Sequence, residues 1–278
     1  MKPKHFLHDL GLILSFLALA LMLVGCGDDN PVDSEGAPDL PPQSSFIMDY
    51  DDFQEGSTVA LHPDGITDVQ SRLHWGRSAL LVGVWNIVLT VTLAVPVASF
   101  VAAFQYHPVR QADGSWNWTY SFEAGGTHTA VLNAKIVEAD VQWTMTISKA
   151  GDFTNFVWYT GVSRADGTEG TWTLNLNPDN PTPFMYIEWE RNFADSTGTL
   201  KYTNIIPGNA ENGAFIYYGI TTDPTYDRFY DIYDKGLDNL TEIEWNYETK
   251  AGRVRDEYHY GDTDWHCWDE DLEDINCP

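Results

Sequence analysis

The residue types that carry covalent chemistry are present in this chain, but the spacings that chemistry needs are not. A nucleophile elbow (Gly-x-Ser-x-Gly), a zinc pair (His-Glu-x-x-His) and a glycine-rich phosphate loop are all absent. The eight histidines are scattered, and His62, His74, His107, His128, His259 and His266 share no metal-ligand spacing. No catalytic residue is therefore assigned, and a non-enzymatic protein is expected. Two clusters still bear on binding. Asp262, Asp264 and Asp269, in an acidic tail, offer hard oxygen ligands to Ca2+. The tail lacks the Asp-x-Asp-x-Asp-Gly loop, and an acidic terminus pinned by a disulfide is the plainer reading. Tyr217, Tyr226, Tyr230 and Tyr233 form a run of flat rings that, if exposed, would stack on a glycan or contact a protein partner. With 14% aromatic residues in the chain, most such rings belong to cores and cross-strand pairs.

The three cysteines divide by position. Lys2 and Lys4 precede an uncharged apolar run from Gly11 to Val24, the length of a secretory h-region and shorter than the ~20 residues of a spanning helix. The run closes in Leu23-Val24-Gly25-Cys26, and charged residues begin at Asp28. This tetrad resembles the lipobox of bacterial lipoproteins. The resemblance implies cleavage between Gly25 and Cys26, diacylglycerol on the Cys26 sulfur and acylation of the new amino terminus. The chain would then be attached to a membrane by more than one acyl chain, as stable anchoring requires. Gly27 at the next position implies sorting to the outer membrane of the cell envelope. The acidic pair Asp28-Asp29 leaves open whether the domain faces the periplasm or the surface. In such an oxidising compartment Cys267 and Cys277 are expected to form a disulfide, which loop entropy values at roughly 2–3 kcal/mol. The net charge of -26 argues against nucleic acid as a partner.

These residues must be positioned by a domain that follows a leader (1–25) and a Pro-, Asp- and Ser-rich tether (26–45), and occupies 46–278. Its oddest segment, Ser78 to Tyr106, contains no charged residue. Length alone qualifies it as a membrane span, but Asn86, Thr90, Thr92 and Pro96 interrupt it. Ala79, Gly83, Asn86, Thr90 and Ala94 would form one narrow small-or-polar stripe on a helix otherwise apolar all round. Such a helix belongs in a core. Two buried helices are therefore expected, near 68–94 and 96–105, broken at Pro96. From Trp116 the pattern switches to period two, as in Trp116, Trp118, Tyr120 and Phe122. Turn signals such as Asp113-Gly114, Asp166-Gly167 and Ser196-Thr197-Gly198 separate about eleven strands between 116 and 260. Short connections make this an antiparallel meander, and so many strands curl into a barrel or half-barrel. The apolar helices are its expected filling. In strand count and plan the arrangement is similar to the Lol-type periplasmic lipoprotein carriers, and no residue is carried over from that likeness. The function expected is an envelope lipoprotein that holds a hydrophobic ligand or lipid. The alternative is a glycan- or protein-binding scaffold with a solid core.

Overall fold

The computed structural model describes residues 36–53 and 71–278. The leader, the lipobox with Cys26 and the first residues of the expected helix at 68–70 lie outside the described residues. The fold is mainly β. Among the described residues a single sheet of 14 strands runs in sequence order, each antiparallel to the next. The strands are β1 (Val109–Arg110), β2 (Trp116–Glu123), β3 (Thr127–Val137), β4 (Asp140–Lys149), β5 (Phe153–Arg164), β6 (Glu169–Asn177) and β7 (Asn180–Asn192). They continue as β8 (Thr197–Asn204), β9 (Phe215–Ile220), β10 (Arg228–Asp234), β11 (Asn239–Trp245), β12 (Gly252–Asp256), β13 (His266–Trp268) and β14 (Asp274–Ile275). The sheet curls into a half-barrel that stays open between β1 and β14. The strands beyond the expected eleven are short pieces at its two ends. The strand expected over 253–260 stops at Asp256, whose side chain accepts from the His259 amide and starts one turn of helix, α3 (Glu257–Tyr260).

Tight turns fix the register, and three of them use one device. The carboxylates of Asp113, Asp166 and Asp195 each accept from both the amide and the hydroxyl of the Ser or Thr two residues on. Those hydroxyl and amide bonds hold the three carboxyls below their ordinary pKa. Part of the chain's acidity is thus spent on turns.

Two helices lie on the inner face, α1 (Leu73–Thr92) and α2 (Ala94–Ala103). The break falls at Leu93, before Pro96, because a continuous helix would drive the proline ring into the Thr92 carbonyl. Pro96 instead occupies the first turn of α2, where no amide is needed. The helices do not fill the half-barrel alone. The segment 46–53 enters it, with Phe46 packed on Phe100, Tyr159 and Trp172 at centroid distances of 4.9–5.7 Å. Tyr202 donates its hydroxyl proton to the Phe46 carbonyl and accepts from the Met48 amide, at 2.9 and 3.1 Å. Tyr230 donates to the Asp49 carbonyl. Packing starts before the expected boundary at 46. Ala37 and Leu40 already rest on the core, and Pro41 and Ser45 are buried, so residues expected to belong to the tether are packed on the domain.

Candidate functional site

Helix α1 packs against β12, β13 and β14 and is sewn down at its first two turns. Arg72 at its N-cap supplies no side-chain bond. The cap comes from the far end of the chain, where both carboxylate oxygens of Asp274 accept the Leu73 and His74 amides at 3.0 Å. Asp274 is held in place by the Cys267–Cys277 disulfide, which closes β13 onto the residues after β14. One turn further, Arg77 pairs with the fully buried Asp256 of β12 through Nε at 2.9 Å and a terminal nitrogen at 2.7 Å. Burial opposes ionisation of Asp256, but bonds from Arg77 and Asn239 outweigh it and hold its pKa below the ordinary value. His74 contacts the Tyr260 hydroxyl through Nδ1 at 3.1 Å, and Tyr260 stacks on His266 at 3.7 Å. Burial lowers the His74 pKa.

Beyond these ties α1 departs from expectation. It buries Trp75, Ser78, Ala79, Val82 and Leu89, while Leu80, Val84, Ile87, Val88 and Val91 are 50–73% exposed. The expected wholly buried helix is therefore corrected to a half-buried one. The physical reason is volume, because segment 46–53 and α2 already occupy the interior that α1 would otherwise enter. By length and composition α1 could cross a bilayer, yet its first turns are fastened to the sheet.

Half-burial leaves a groove on each side of α1. The first, about 390 Å³, runs between Leu81, Val84, Trp85 and Val88 of the helix and Leu176, Phe184, Ile206 and Ile232 of the sheet side. Its wall is mostly apolar, and Arg77, Asp234, Asn239 and Thr241 are among its polar lining residues. The second, about 580 Å³, lies between Leu89, Leu93 and Val97 and the segment Phe46–Asp51. Tyr50 lines it and keeps a buried hydroxyl with no hydrogen-bond partner. Both volumes fall in the range of about 300–1,000 Å³ usual for small-molecule sites.

The residues singled out in the sequence fall in several places. Tyr230 is 1% exposed and packs on Tyr50, Phe53, Tyr218 and Trp245 in the core, so its expected exposure is corrected. Strand parity carried the signal, since Tyr230 shares a face with Ile232 while Asp231 marks the opposite face as outer. Tyr217 is on that outer face, in register with Lys201 and Asp231. It lines a third, polar groove of about 620 Å³ with Asp140, Arg164, Glu188 and Lys201. Tyr226 lies under the Arg253 guanidinium at 4.6 Å. Tyr233 packs on Phe215 and donates to Asp238 at 2.6 Å. The four tyrosines do not form one platform. Nor do Asp262, Asp264 and Asp269 form one cage. The Asp262 carboxylate contacts His266 and accepts the Asp264 amide, and that of Asp269 accepts the amides of Asp271 and Glu273. Among the described residues no group of three or more His, Cys, Asp or Glu side chains is arranged to hold a metal ion, so the Ca2+ expectation has no geometry behind it. Sequence reading missed the 46–53 insertion and the Arg77–Asp256 tie, which no local motif announces.

No family model matches this chain, and no curated protein and no solved structure shows significant similarity to it.

Proposed function

We propose that this chain is a non-enzymatic lipoprotein of the cell envelope, anchored to the outer membrane through acylated Cys26, whose domain binds a hydrophobic ligand. The observation that carries the reading is the open apolar groove between α1 and the sheet. Apolar surface left in water is costly, at about 25 cal/mol per Å². A groove in which Val84, Val88 and Leu237 stand about half exposed recovers that free energy when an acyl chain or similar group covers them. Leu237 lines the groove yet is 46% exposed, so the fold tolerates its replacement.

The test is uptake of a fluorescent fatty acid by the unacylated Cys26→Ser chain. Leu237→Asp is expected to weaken uptake at least tenfold, about 1.4 kcal/mol, with the unfolding midpoint nearly unchanged. No uptake by the parent chain would reject the reading. A second reading, glycan or protein binding on the outer face, draws on Tyr217 in the polar groove beside Glu188 and Lys201. It predicts protection of Tyr217 by a glycan or protein and indifference to Leu237→Asp.

A further inference from the structure

We infer that the exposed apolar face of α1 rests on the surface of a lipid bilayer. Leu80, Val84, Ile87, Val88 and Val91 recur at helical steps of three and four, and each is at least half exposed. A helix at a water-facing surface normally turns polar residues outward. Here the arrangement is reversed, with Ala79 packed inward and Leu80 outward.

Two further observations name lipid as the occupant. Residues 78–109 form the longest stretch without Asp, Glu, Lys or Arg in a chain of net charge -26, so the helix face itself carries no carboxylate, and Asp49, Asp51, Glu211 and Asp234 stand only in the flanking grooves. The described chain begins at Gly36, ten residues after Cys26. Ten residues span at most about 35 Å, which holds the domain within roughly its own diameter of an anchored acyl chain. Contact then orients the domain. Val84 and Val88 belong both to the exposed face and to the groove wall, so the groove would open toward the lipids. The inference rests on the acylation proposed above and not on any ligand in the groove.

The test uses the acylated chain in phosphatidylcholine vesicles, carrying an environment-sensitive fluorophore at Ile87→Cys or Val91→Cys, neither of which lines a groove. Glu190→Cys, on the outer face, is the control. The expected result is a blue-shifted emission at 87 and 91, quenched by brominated lipid, with neither effect at 190. Emission at 87 and 91 that matches the soluble Cys26→Ser chain would overturn the inference while leaving fatty-acid uptake untouched. A shift already present in that soluble chain together with a dimer mass would also overturn it, assigning the face to a second copy. A mass without acyl groups would reject the anchor itself, and uptake by the Cys26→Ser chain would still report on the groove separately.

Discussion

At Asp231 the outer face places a carboxylate between Tyr217 and Glu242 in the cross-strand register. Burial, with the charges of Glu242 and Glu244 added, pushes its pKa up to about 6. The folded state therefore holds this proton more tightly than the unfolded chain, where a carboxyl titrates near 3.9. The associated stability is complete below about pH 4 and is lost as pH rises through about 6. Asp231→Asn removes the titration. It is expected to stabilise the protein at pH 7 by about 1 kcal/mol after allowance for solvent screening, with little change at pH 4. Urea unfolding at the two pH values checks this, and a variant weaker at pH 7 would contradict it. Asp256 illustrates the opposite case. Its lowered pKa gives stability that is present above the ordinary carboxyl value and lost as pH falls through the folded one.

Among the elements, the long strands were legible because alternation and turn chemistry agreed. Trp116, Trp118, Tyr120 and Phe122 are all buried, as their period-two spacing required. Asp113-Gly114 and Asp166-Gly167 mark turns whose middle residue has positive φ, 84° and 70°. β13 and β14 were not legible, since three and two residues carry no period. The half-burial of α1 was not legible either, because it depends on how distant segments share the interior. Tertiary packing also couples the two ends of the chain. Cys277→Ser is expected to cost about 2–3 kcal/mol by loop entropy. Because the disulfide positions the Asp274 cap, loss of the bond should also raise hydrogen exchange at the Leu73 and His74 amides. Asp274→Ala should raise exchange at the same amides and cost about 1 kcal/mol. Unchanged protection of those amides in Cys277→Ser would break the proposed link between tail and helix.

Taken as a whole, the molecule places its charges and its apolar surface apart. Acidic residues cap turns and cover the outer face, where Glu242 and Glu244 pair with Arg255 and Arg253. The half-barrel's interior is occupied by aromatic rings, by segment 46–53 and by α2. Among the described residues α1 departs furthest from the separation, with five apolar side chains at least half exposed beside a groove. That exception underlies the proposed hydrophobic ligand, and a helix packed flush on the sheet with no groove beside it would have favoured the scaffold instead. Native mass spectrometry of the Cys26→Ser chain, purified from the envelope without detergent, tests the claim most directly. The account predicts a bound lipid or other amphiphile that is reduced or lost in Leu237→Asp. Clean apo protein from the parent chain, with no acyl ligand taken up on addition, would contradict it.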